Sequence, residues 1–152
     1  MGKFAEDTTV DVPRSQVELE RTFQRYGARK FMRGWDGDKA FLLFELGNRR
    51  IQMVVPMPRR DDFELTRRGK QRNANSALNA YEQACRQRWR AVNLVVKAKL
   101  EAVDSGISTI EQEFLAHIVL PSGQTVGGWL QPQIEAAYKN GTMPPLLPGG
   151  EG

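Results

Sequence analysis

The chain of 152 residues holds one cysteine, Cys85, and one histidine, His117. A lone cysteine excludes an internal disulfide framework and suits a reducing compartment. A lone histidine leaves little for a histidine-based metal site and confines any Ser–His or Cys–His machinery to that residue. No apolar run approaches the length needed to cross a bilayer. The opening MGKFAEDTTVDVP lacks an apolar segment of signal-peptide length, and Lys3 to Glu6 after Gly2 lack the Ser or Thr of a myristoylation signal. A cytoplasmic location is expected, with no membrane partner. Glycine-rich phosphate loops, dinucleotide fingerprints and nucleophile elbows are also missing. The expectation is a non-enzymatic protein with no cofactor and no metal.

What the chain does have is positive charge, unevenly placed. The formal net charge is +4. Residues 59–99 carry eleven basic and four acidic side chains, whereas residues 100–152 carry one basic and six acidic. A basic middle followed by an acidic end suits a surface that faces a polyanion, or two surfaces that attract each other between copies. Hydrophobic residues make up 40% and charged residues 26%, a balance that supports a folded core.

Periodicity divides the chain into elements. Residues 14–27 read as a helix opened by a Ser15/Glu18 capping box, with Val17, Phe23 and Tyr26 sharing a face, Leu19 at its edge, and Gly27 at its end. Between Ala28 and Pro58 the period becomes two, giving three antiparallel strands joined at DGDK and Gly47-Asn48. The middle strand, AFLLFEL, has apolar side chains pointing both ways and reads as buried on both faces. TTVDV at 8–12 suits a further edge strand. Residues 57–75 lack sustained periodicity and read as a long exposed basic loop, free to order on a partner.

Residues 76–104 give the longest helix, capped by Asn75. Leu78, Tyr81, Cys85, Trp89, Val92, Val96, Leu100 and Val103 recur along it at spacings of three and four. A Ser108/Glu111 capping box starts another helix. IVLPSGQTVGGWL suits a short extended segment with a turn, and Thr125 caps a last helix, bent or restarted at Pro132, that ends near Asn140-Gly141. Trp89 and Trp129 read as core residues. The chain is therefore expected to be an α+β protein: an N-terminal helix, a three- to four-stranded antiparallel meander, a long basic helix packed on the sheet, and C-terminal helices. Residues 1–141 form one domain in this reading, and 142–152 a flexible Pro/Gly-rich tail.

Two features carry the functional expectation. On the long helix, Arg86, Arg90, Asn93 and Lys97 follow the same spacing as the apolar stripe but are offset from it, which makes a polar ridge about 16 Å long. Ordinary solvated side chains whose stems cover the core's edge would have the same spacing. Immediately before the helix, Arg67, Arg68, Lys70 and Arg72 belong to a basic arm that begins at Arg59 and Arg60. A mobile arm beside a basic ridge suits a sugar–phosphate backbone, and arginine's planar fork suits phosphate. Asp61, Asp62 and Glu64 interrupt the arm. On the first strand Arg33 lies between Phe31 and Trp35, a pattern that serves base stacking on an open sheet or packing against a helix. Asp36, Asp38 and Glu45 could offer oxygen ligands to a divalent cation, yet Asp-Gly-Asp is also an ordinary turn sequence. His117 reads as a partly buried structural residue and Cys85 as a small buried hydrophobe.

The segments FMRGWDGDKAFLLFEL, VVPMP, ACRQRWRAVNLVVKAKLEAVDSGIST and HIVLPSGQTVGGWL together resemble small uncharacterised proteins of tailed bacteriophages and prophages. The resemblance spans residues 8–148. It implies an accessory protein in the cytoplasm of an infected bacterium, serving phage DNA metabolism or disarming host machinery, and brings no active site. The expected function is nucleic-acid binding through phosphate contacts, with single-stranded DNA slightly favoured over duplex DNA or RNA. The alternative is binding and inhibition of a host enzyme or defence complex through the basic surface. Self-association through the oppositely charged regions is a third expectation.

Overall fold

A computed structural model describes residues 11–143 of the chain. Helix α1 (Asp11–Arg25) leads into a meander of β1 (Arg29–Asp36), β2 (Lys39–Leu46) and β3 (Arg49–Pro56). A 3₁₀ turn (Arg60–Phe63) precedes the 31-residue helix α2 (Ala74–Asp104). Short α3 (Ile110–Phe114), a second 3₁₀ turn (Leu115–His117) and α4 (Val126–Asn140) follow among the described residues. The α+β architecture agrees with the sequence reading. No helix among the described residues is long and apolar enough to cross a membrane.

The meander follows from its turns. Gly47 and Asn48 both have positive φ, 56° and 62°, the backbone that a two-residue hairpin with the right strand twist requires. Gly37 turns the β1–β2 hairpin with φ 61°. The strands pair in the order β1-β2-β3. Lys30 at φ 54° marks the one register irregularity, between Arg29 and Met32.

Ala40, Leu42, Phe44 and Leu46 of β2 and Ile51, Met53 and Val55 of β3 are buried on one face of the sheet. Leu19 and Phe23 of α1 and the stripe Tyr81, Cys85, Trp89, Val92, Val96 and Leu100 of α2 close over that face in a single core. Phe44 sits at its centre, its ring centroid 4.1 Å from Phe23 and 5.7 Å from Phe114. The other face of β2 is only half-buried, at Phe41, Leu43 and Glu45. The expected double burial of this strand is therefore corrected, since no described element lies over that face.

Several local expectations shift by a few residues. Helix α1 begins at Asp11, so Ser15 is an interior residue, 8% exposed, and not the cap of a capping box. A capping serine needs a non-helical backbone, whereas Pro13 is tolerated in the first turn of a helix. Val17 points outward, while Leu19 and Phe23 are fully buried. Of the strand expected at 8–12, Asp11 and Val12 are helical and residues 8–10 lie outside those described. Residues 144–152 of the expected tail also lie outside them.

Asn73, not Asn75, caps α2: its side chain accepts from the Ser76 N–H at 2.8 Å. Thr109 and Gln112 form the capping box of α3, one residue beyond the expected Ser108/Glu111 pair. Ser108 instead donates to Glu113 at 2.7 Å. The expected extended segment is present, with Ile118 bridging Ile51 on the edge of β3 and Val119 bridging Thr125. Thr125 caps α4, which continues through Pro132 to Gly141 at φ 67°. Trp129 is only half-buried and stands outside the core that holds Trp89.

His117, on the second 3₁₀ turn, is the one group near neutrality among the described residues whose titration the fold shifts. Burial first, and the ammonium of Lys99 second, lower its pKa from the ordinary 6.5. The unfolded chain therefore takes up this proton at higher pH than the folded one. Its stabilising contribution is complete above the unfolded value and is lost as the pH falls through the folded value. The thermal midpoint is expected to fall between about pH 7 and pH 5, and His117→Gln to flatten that part of the profile. An unchanged profile in the variant would remove His117 from the account.

Candidate nucleic-acid interface

The basic arm is a small folded unit. Thr66 and Lys70 close a tight turn: the Thr66 N–H donates to the Lys70 carbonyl at 2.8 Å, and the Gly69 N–H to the Thr66 carbonyl at 2.9 Å. Gly69 supplies the left-handed backbone, φ 80°. A Leu65–Gln71 bridge continues the pairing below the turn. The arm's base is fixed to α2 by Phe63 edge-on to Tyr81, centroids 6.2 Å apart, and by the Arg60 guanidinium 5.6 Å from the same ring.

Arg72 is part of this fold. Its guanidinium donates to the carbonyls of Phe63 at 3.2 Å and Leu65 at 3.1 Å, so it is a staple of the arm and not one of its free cations. Arg67, Arg68 and Lys70 are left exposed at the tip, with no ion-pair partner among the described residues. The backbone of the tip is already ordered, so binding through it costs less entropy than ordering a flexible segment.

The ridge on α2 is divided. Asn93 turns toward α1, its amide donating to the Ser15 carbonyl at 2.9 Å and the Trp89 carbonyl at 3.1 Å. That ties two helices together and removes Asn93 from the expected phosphate track. Lys97 lies 4.0 Å from Glu18 of α1, both half-exposed. Arg86 bonds Gln83 one turn earlier on its own helix. Arg90 is exposed and without an ion-pair partner among the described residues.

The other two basic residues of α2 flank the core. Arg88 donates to the Pro56 carbonyl at the end of β3. Lys99 donates to the Glu113 carbonyl at 2.8 Å and stands 5.8 Å from the Phe114 ring centroid. Folding thus accounts for Arg88 and Lys99 and leaves Arg90 unexplained.

Arg33 is on the core side of the edge strand β1, opposite Leu42. Its guanidinium is 3.7 Å from Glu20, so the Phe31–Arg33–Trp35 pattern is not an open stacking platform. Phe31 packs into the core margin, 5.2 Å from Phe23. Asp38 belongs to the β1–β2 turn and lies 4.0 Å from Arg59. Among the described residues no three His, Cys, Asp or Glu side chains are grouped as they would be around a metal ion. Burial raises the Cys85 thiol pKa, which keeps it protonated and unreactive.

Three cations were missed by sequence reasoning. Arg14, Arg21 and Arg25 recur at intervals of seven and four, so they share the outer face of α1, opposite Leu19 and Phe23. The Ser15–Asn93 and Glu18–Lys97 contacts set α1 beside the middle of α2. Arg14 and Arg21 of α1 and Arg90 and Lys97 of α2 therefore share the outer surface of one helical layer, with Glu18 between them. The spacing on α1 could have been read directly. The balanced charge of residues 1–58, ten basic against eight acidic, hid it. Comparison with protein-family models, with curated proteins and with solved structures finds no match to this chain.

Proposed function

We propose that this chain binds nucleic acid through phosphate contacts, without catalysis. The observation that carries the reading is the folded tip of Arg67, Arg68 and Lys70, three exposed cations without ion-pair partners among the described residues. Arg90, Lys97, Arg14 and Arg21 on the α1–α2 layer extend the basic surface. Apart from Lys97, which lies 4.0 Å from Glu18, these residues have no ion-pair partner among the described residues, whereas a row of phosphates gives each a partner and releases counterions. Single-stranded DNA is slightly favoured among polyanions, and the setting is that of a phage-type accessory protein in a bacterial cytoplasm.

A second reading rests on Asp61, Asp62 and Glu64, which interleave with the arm's arginines. Mixed charge suits a protein surface better than a uniform polyphosphate, as in an inhibitor of a host enzyme or defence complex. A mobility-shift series over single-stranded DNA, duplex DNA and RNA at two salt concentrations tests the first reading. Binding at low salt that weakens steeply at the higher salt is expected; no binding at low salt would overturn it. A partner recovered from bacterial lysate after nuclease digestion would favour the second.

A further inference from the structure

The turn that carries the basic arm leaves a cleft against α2. The turn Arg60–Phe63 packs beside the helix, and an open cleft of about 420 Å³ lies between them. Asp62 and Phe63 line it from the turn. Ala84, Gln87, Arg88 and Ala91 line it from α2, at intervals of three and four that put them on one side of the helix. That side is separate from the core stripe, which runs through Cys85, Trp89 and Val92. The volume falls within the roughly 300–1,000 Å³ of small-molecule sites.

The polar groups of the cleft are of opposite kinds. Asp62 is an exposed carboxylate with no ion-pair partner among the described residues, although arginines precede it. Arg59 lies 4.0 Å from both Asp38 and Asp61, and the Arg60 guanidinium stands 5.6 Å from the Tyr81 ring centroid. Arg88 donates from one nitrogen to the Pro56 carbonyl. That bond fixes the guanidinium at the cleft and leaves donors on its other nitrogens. Gln87 adds an amide that can donate or accept. A carboxylate accepts two parallel N–H bonds, and a guanidinium gives two. Guanine alone among the DNA bases carries both matching edges: adjacent N–H donors at N1 and N2, and acceptors at O6 and N7.

The cleft is joined to the cationic tip. Arg72 donates to the Phe63 carbonyl, so the side chain that staples the arm also holds a residue lining the cleft. From Phe63 to Arg67 the chain covers about 13 Å at roughly 3.3 Å per residue, a distance that one strand covers in a few nucleotides. We infer that the cleft takes one unpaired guanine of a strand whose phosphates lie on Arg67, Arg68 and Lys70. Asp62 accepts from its N1–H and N2–H, and Arg88 donates to its O6 and N7. The inference rests on the nucleic-acid reading above and adds a base to it. In a duplex the N1 and N2 donors of guanine are bound to cytosine, so only an unpaired base offers them to Asp62. The carboxylate among the arm's arginines then has a use that phosphate contacts do not give it.

The test titrates the full chain, at low salt, into short fluorescent oligothymidine strands whose central base is guanine, adenine, cytosine or thymine. The guanine strand is expected to bind about tenfold more tightly than the others. Asp62→Asn removes one of the two accepting oxygens. Ala91→Leu, at an exposed position, fills the cleft without touching Asp62 or Arg88. Each variant is expected to bring the guanine strand to within about twofold of the other strands. Equal binding of all four strands by the unmodified protein would overturn the guanine site and leave the phosphate contacts standing. Tighter binding of another base would also overturn it, as would a guanine preference that survives both variants. No binding of any strand at low salt would overturn the site together with the nucleic-acid reading.

Discussion

Replacing Arg67, Arg68 and Lys70 together by glutamate is expected to weaken single-stranded DNA binding by about a hundredfold at roughly 0.1 M salt. The magnitude follows from counterion release: each phosphate contact on a single strand contributes about 0.7 to the salt exponent, so three contacts contribute about two decades at that concentration. Repulsion by the new carboxylates adds to the loss. The fold should tolerate the change, because all three side chains are exposed and none has an ion-pair partner among the described residues. Arg90→Glu alone is expected to cost about fivefold by the same arithmetic. Arg72→Gln differs in kind. It removes the guanidinium from the Phe63 and Leu65 carbonyls, so any loss of binding comes with a disordered arm. Unchanged affinity in the triple variant would place the binding surface elsewhere.

Trp89→Ala is expected to be the most damaging single core substitution, lowering stability by about 3 kcal/mol. Removing a buried tryptophan costs roughly 3–5 kcal/mol through lost transfer energy and the cavity left behind. Here part is offset, because the indole Nε1–H is buried without a hydrogen-bond partner, and losing an unpaired buried donor recovers about 1 kcal/mol. Trp89→Phe drops that donor but keeps most of the ring, and is expected to cost about 1 kcal/mol or less. For a chain of this length the alanine variant should melt about 6–12 °C lower. Denaturant midpoints of the two variants check both expectations. A loss well above 1 kcal/mol in Trp89→Phe would mean that the unpaired donor carries no penalty. The same result bears on function: Trp89 is 2% exposed, so it anchors α2 and is not a platform for bases.

The fold was legible where local chemistry decides it. Gly47-Asn48 permits a positive-φ hairpin, and the three-and-four stripe from Tyr81 to Leu100 can bury only one side of a helix. The misplacements share one cause. Ser15, Asn75 and Ser108 all have capping chemistry, but which neighbour caps depends on where the chain leaves the core. Ser15 was drawn into the helix because Leu19 and Phe23 dock on the sheet. The outer face of β2 read as buried because Phe41 and Leu43 are apolar, and alternation alone does not show what covers a sheet.

The basic surface was legible as charge but not as geometry. Sequence spacing placed Asn93 with Arg90 and Lys97, yet its amide reaches Ser15, 78 residues earlier, a contact that no helical spacing reveals. Arg72 was similarly lost to hydrogen bonds within the arm. Arg14 and Arg21 came into view only when α1 was seen to lie beside α2.

The central claim is that the cations at the arm's tip contact phosphates. The most direct measurement is the affinity of a fluorescent single-stranded oligonucleotide for the unmodified protein and for the Arg67→Glu, Arg68→Glu, Lys70→Glu variant, across a range of salt concentrations. The predicted result is a steep fall of log affinity with log salt for the unmodified protein, and a slope about 2 units shallower in the variant. Parallel slopes, or an affinity that ignores salt, would contradict it.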